Sequence, residues 1–263
     1  MRLAGLQIDS AWENPEASFG RAAALAEEAA ADGARLLALP ETFATGFSMR
    51  SEAMAAHAGA VRDFLSSLAR RLGVWLLAGL AEPGRERPAN ACVVLDPDGA
   101  ERLHVRKVHP FSLVREAEHY ESGDAVATVE VEGVRITPLV CYDLRFVELF
   151  RAAAEATDCF VVIANWPERR AHAWRTLLAA RAIDCQAFVL GVNRVGDADG
   201  HTHRGDTTLL DPLGEVVATL ADREGVVSGE VDPARVAELR ARYPFLRDRR
   251  LELYRTLRLA TAD

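Results

Sequence analysis

Three residues that could do chemistry each stand at the end of an expected strand in this 263-residue chain. Cys141 comes directly after the β-branched run 134–140, and Phe146, Leu149, Phe150 and Ala153 then recur at helical spacing. A cysteine where a strand turns into a helix meets free backbone N–H groups. These favour a thiolate and can later bind an oxyanion. A small apolar core residue is the other fate of a free cysteine, and Cys141 alone fits both. Glu41 follows the buried run 35–39 within Leu39-Pro40-Glu41-Thr42-Phe43. With Leu39, Phe43 and Phe47 around it, its carboxyl would titrate high and suit a general base. Glutamates more commonly sit on exposed loops. Lys107 ends a strand inside His104-Val-Arg-Lys-Val-His109. Taken alone it reads as the solvated basic edge of a sheet. His104 and His109 flank it, but no further ligand cluster stands at metal-binding spacing, so structural or exposed histidines are expected.

The elements that hold these residues follow from pattern. Residues 3–8 read as a strand, and Asn14-Pro15 opens an alanine-rich helix that ends at Gly33. A strand at 35–39, a helix at 61–72 and a strand at 74–80 follow. A hairpin, 90–95 with 101–105, turns over Pro97-Asp98-Gly99 and delivers Lys107. Residues 126–131 and 134–140 pair over Glu132-Gly133, although Pro138 speaks mildly against a central strand. A helix to about residue 156 comes next. Then come a strand at 159–164, a helix at 171–185 and a strand at 188–193. A hairpin, 207–210 with 215–220, a strand at 225–231 and a helix capped by Asp232-Pro233 complete the pattern. Alternating strands and helices with interleaved hairpins give mixed sheets covered by helices. No linker or repeat interrupts 1–263, which reads as one domain.

Composition narrows the partners. A hydrophobic content of 49% supports a sizeable core, and a formal charge of −8 argues against nucleic acid. Cys92, Cys141, Cys159 and Cys185 form no C-x-x-C pair, which reads as reduced thiols in a cytoplasmic protein without structural zinc. The N-terminus is interrupted by Asp9 too soon for a signal peptide, and no run approaches the ~20 apolar residues of a membrane span.

Cys-Tyr-Asp-Leu-Arg-Phe with Glu148 resembles the nucleophile motif of the carbon–nitrogen hydrolase (nitrilase) superfamily. Pro40-Glu41-Thr42-Phe43 with Thr45-Gly46-Phe47 is similar to its general-base motif, in the ω-amidase-like branch, and Arg106-Lys107-Val-His-Pro-Phe111 to its lysine motif. Asn165-Trp166-Pro167, Ala180-Arg181-Ala182, Asn193-Arg194-Val195-Gly196 and His203-Arg-Gly205-Asp206 follow in the family's order, so the resemblance runs from about 3 to 231. Val147 departs from the usual proline, which implies an altered helix entry.

The resemblance implies an α/β fold, a four-layer α-β-β-α sandwich that dimerises. It also implies a Glu41–Lys107–Cys141 triad needing no metal or organic cofactor. Glu116, rather than Glu118 or Glu121, would be the family's second glutamate ahead of Tyr120-x-x-Gly123-Asp124. Tyr142 would offer its N–H to the oxyanion, Trp166 and Phe47 would wall the pocket, and Arg181 would be structural. The implied activity is hydrolysis of a small amide through a thioester, by analogy on monoamides of dicarboxylic acids such as 2-oxoglutaramate. Arg106, Arg115, Arg145 and Arg194 are candidate receptors for the far carboxylate. The alternatives are a nitrilase or general aliphatic amidase, a His–Cys hydrolase, and a non-catalytic interaction protein on the same fold.

Overall fold

A computed structural model describes residues 1–257. The first half comprises β1 (Arg2–Gln7), α1 (Pro15–Ala31), β2 (Leu36–Ala38), α2 (Ser51–Ala55), α3 (Ala58–Leu72), β3 (Trp75–Glu82), β4 (Ala89–Leu95) and β5 (Glu101–Arg106). The second half begins with β6 (Val129–Val131), β7 (Val134–Val140), α4 (Val147–Ala153), β8 (Cys159–Ala164) and α5 (Ala171–Cys185). It continues with β9 (Phe188–Asn193), β10 (Val195–Ala198), β11 (His201–Leu210), β12 (Val216–Ala221), β13 (Gly225–Glu230), α6 (Pro233–Arg242) and α7 (Leu251–Thr256).

Two mixed sheets result, ordered β13-β1-β2-β3-β4-β5 and β10-β11-β9-β8-β7-β6, with β12 paired to β11. The central strands β1–β3 and β7–β9 are parallel, and the flanking ones antiparallel. Period-two alternation sorts the side chains. Leu37, Leu76 and Leu80 face α1 and α3. Leu36, Leu77 and Val94 instead meet Ile136, Val161 and Leu190 of the second sheet. On that sheet's outer face, Phe160, Val162 and Val189 pack with Trp174, Leu178 and Phe150 of α5 and α4. The expected four-layer α-β-β-α sandwich is thus present. Both expected caps form as well: Asn14 accepts from Ala17 N–H, and Asp232 from Ala234 N–H.

Several local expectations are corrected. Residues 141–156 are not one helix. A 3₁₀ helix at Cys141–Arg145 precedes an extended Phe146, and α4 starts only at Val147. The cause lies in the turn: Cys141 has φ +49°, a left-handed conformation, and Asp143 folds back to accept from Val140 N–H. α2 and β10 were not expected, and residues 126–128 lie outside β6. The β6–β7 ladder ends at Ile136, so Pro138 lies past it and β7 tolerates the missing donor.

One glycine sets the position of Glu41. A Cβ on Gly79 of β3 would stand 2.6 Å from both Glu41 Cα and Thr42 N. The turn after β2 is therefore seated directly on β3, and Thr42 within it has φ +41°.

Candidate active site

The ends of β2, β5, β7 and β8 converge on one buried charge network. Lys107 Nζ lies 2.9 Å from Glu41 Oε1 and 2.9 Å from Glu116 Oε2, with both carboxylates fully buried. Phe47 covers the ammonium at 4.8 Å from its ring centroid. Two carboxylates around one cation leave a net negative charge, so further donors are needed. Asn90 Nδ2 donates to Glu41 Oε1 (2.7 Å), Asn165 N–H to Glu41 Oε2 (2.8 Å) and Phe111 N–H to Glu116 Oε2 (2.5 Å).

These contacts decide the protonation states. Burial pushes the Glu41 carboxyl up, but Lys107, Asn165 and Asn90 outweigh it and hold it below the ordinary range. The Glu41 carboxyl is therefore held low, and the apolar wall expected to raise it does not decide the matter. Glu116 shares the same ammonium, and burial leaves its carboxyl raised. Burial opposes the charge on Lys107 too, yet Glu116 and Glu41 drive its pKa well above the usual value. Cys141 is half-buried, and desolvation with the facing Glu41 carboxylate pushes its thiol well above 9.0. This corrects the expectation of a resting thiolate: burial, and after it the Glu41 carboxylate, outweigh the pull of the Lys107 ammonium on the sulfur. The arrangement at rest is a neutral thiol, an ionised carboxylate and an ammonium.

Cys141 and Lys107 line one cleft open to solvent. Tyr142, Trp166, Phe47 and Arg145 all line it. Glu41 and Glu116 lie beneath, fully buried. Of the three candidate second glutamates only Glu116 meets Lys107; Glu118 pairs with Arg115, and Glu121 with Arg106. The four candidate anion receptors separate in the same way. Arg106 is bound to Glu82 and Glu121, Arg115 to Glu118, and the fully buried Arg194 to Asp9. Only Arg145 makes no ion pair among the described residues, and its guanidinium stacks 5.0 Å from the Trp166 ring centroid. Arg181 donates to the carbonyls of Leu144 and Arg145 and so braces the cysteine turn from below. His104 pairs with Glu82, and His109 with Asp143.

Sequence reading missed three residues here. Asn90 is a polar residue inside the apolar β4 run, and that break in the pattern was its signal. Asp143 is buried and accepts from Val108 N–H and His109 N–H, clamping the lysine loop to the cysteine turn. Arg170 enters the cleft from a 3₁₀ helix at Glu168–Arg170, and nothing in the local sequence distinguished it from Arg169.

A carbon–nitrogen hydrolase family model matches residues 2–241. The chain is 34% identical to the ω-amidase YafV of Escherichia coli over 82% of this chain and 84% of that one. It is 30% identical to the 2-oxoglutaramate amidase of Bacillus subtilis over 95% and 97%. Among solved structures it resembles a superfamily protein of Xanthomonas campestris with an arsenic adduct in its active site. That match has a TM-score of 0.87 and 35% identity, covering 94% and 96%. It also resembles a Nesterenkonia amidase variant in which acrylamide has added to the active-site cysteine, with a TM-score of 0.88 and 25% identity over 97% and 99%.

Proposed function

Because this chain belongs to the carbon–nitrogen hydrolase family, we propose that it is an ω-amidase acting on the terminal amide of small dicarboxylic acid monoamides. The observation that carries the reading is the cleft itself. It joins Cys141 and Lys107 to Arg145, a guanidinium with no acidic partner among the described residues.

The chemistry follows from the resting protonation states. Cys141 passes its proton to Glu41 as sulfur attacks the amide carbon, so no free thiolate need accumulate. The oxyanion forms against the Lys107 ammonium and the backbone N–H of Tyr142. As the C–N bond breaks, Glu41 returns the proton to the leaving nitrogen and ammonia departs. Glu41 then takes a proton from water, the hydroxide attacks the thioester, the C–S bond breaks, and the proton returns to sulfur. Glu116 keeps Lys107 charged and in place throughout. Trp166 and Phe47 wall the acyl chain.

Ammonia release from glutaramate against pentanamide tests the substrate class. A charge-assisted hydrogen bond to the far carboxylate contributes roughly 1.5–3 kcal/mol, or about 10- to 150-fold in kcat/KM. Equal turnover of the two would make the protein a general aliphatic amidase, and faster turnover of the matched nitrile a nitrilase.

We read the protein as a cytoplasmic homodimer, supported by its free thiols and by Ile183, Phe245 and Tyr254, exposed around one surface cleft. Sedimentation at micromolar concentration should give twice the chain mass; a monomer there removes the dimer.

A further inference from the structure

Five cations and one carboxylate, Asp199, border the cleft. Lys107 and Arg194 are taken up by Glu41, Glu116 and Asp9. Arg145, Arg169 and Arg170 remain, and none of them makes an ion pair among the described residues. Two of these three are aimed. The Arg170 guanidinium lies 5.0 Å from the Phe111 ring centroid, as Arg145 lies 5.0 Å from that of Trp166. An aromatic ring against the face of a guanidinium leaves its N–H edge for a partner in the plane. The two supports are joined. Trp166 Nε1 donates to the Arg170 carbonyl oxygen at 2.8 Å, and Phe111 packs on Tyr142 at 4.8 Å between centroids. Arg169 has no such aromatic support and is exposed.

We propose that Arg170 is the second arm of a two-guanidinium clamp that receives the substrate's far carboxylate together with Arg145. This rests on the ω-amidase reading and adds to it the residue that sets specificity. The two arms come from different elements, the 3₁₀ turn of the cysteine and the one that follows β8. A carboxylate spanning both is therefore fixed in direction, with its amide end toward Cys141. Without an anion the arms repel each other. Burial first, then the neighbouring Arg169 and, to a smaller extent, Arg145 lower the pKa of Arg170, while Cys141 lies near enough to oppose them. A neutral substrate leaves that repulsion in place, whereas a carboxylate relieves it.

Arg170→Met should lower kcat/KM for glutaramate by about 10- to 100-fold, mostly through KM. The glutaramate-to-pentanamide ratio should collapse with it, and Arg170→Lys should restore part of the ratio. A loss of equal size on both substrates assigns Arg170 to structure and overturns the proposal, as does an unchanged ratio. Protection of Cys141 from iodoacetamide by glutarate separates this inference from the reading beneath it. If wild type shows no preference for glutaramate but glutarate protects it, and Arg170→Met weakens that protection about tenfold, the ω-amidase reading falls and the clamp stands. Absence of protection in wild type overturns the clamp.

Discussion

Cys141→Ala should release no ammonia and form no hydroxamate when hydroxylamine is added to trap the acyl group. The other three cysteines offer no substitute. Cys92 and Cys159 are buried within the layer between the sheets, and Cys185 is buried at the end of α5. Burial raises all three thiols, the first two beyond the range of protein titration and Cys185 to about 11. Cys92→Ala and Cys185→Ser should therefore keep the hydroxamate. The expected loss in Cys141→Ala exceeds about 10⁴-fold, because both chemical steps pass through its sulfur. Iodoacetamide should label Cys141 alone in the folded protein. Persistent turnover in Cys141→Ala ends the thioester mechanism.

Glu41→Gln and Lys107→Met should each reduce kcat by at least about 10²–10³-fold, but with different effects on stability. Glu41→Gln keeps the size of the side chain and removes one of two buried negative charges, so the fold should tolerate it. Lys107→Met leaves Glu41 and Glu116 facing each other with no cation. Breaking a buried pair in this way costs about 3–5 kcal/mol. A lowered Tm is expected for Lys107→Met, with partial recovery as pH falls and one carboxylate takes up a proton. Stability at a strand end facing a pocket would have been indifferent to this change; the ammonium buried between carboxylates makes it sensitive.

The pH profile follows from the same network. Glu41 is held below its ordinary 4.5, so the acid limb of wild-type kcat/KM should lie below pH 4.5. In linkage terms, its depressed carboxyl contributes stability that is present above the unfolded pKa and lost as pH falls through the folded one. The thiol is raised above 9.0, so activity should hold through neutral pH to at least pH 9. An acid limb near pH 6 would show instead that Glu41 titrates high, and a drop of less than about tenfold in both variants would leave Glu41 and Lys107 outside the chemistry.

Local pattern was enough to place most of the elements. Periodicity marked the buried strands, the Asn14-Pro15 and Asp232-Pro233 pairs marked two helix starts, and Glu41, Lys107 and Cys141 each stood at the end of a strand. These signals survive in one dimension because they arise from backbone geometry and neighbours a few residues apart. The family motifs carried the residue types further, to cysteine-dependent hydrolysis of a small amide as the leading reading, with the nitrile alternative left open. The tertiary structure decided what depends on distant neighbours. Glu41 and Lys107 are 66 residues apart, and Asn165 lies 124 residues beyond Glu41. Their charges set one another's protonation states, so the carboxyl expected to titrate high is held low and the expected thiolate is a thiol. The choice among arginines has the same origin. Arg106, Arg115, Arg145, Arg170 and Arg194 are chemically alike in sequence, and only packing shows which of them already hold a carboxylate. Coulombic energy and desolvation depend on separation and burial in space, which chain order does not record.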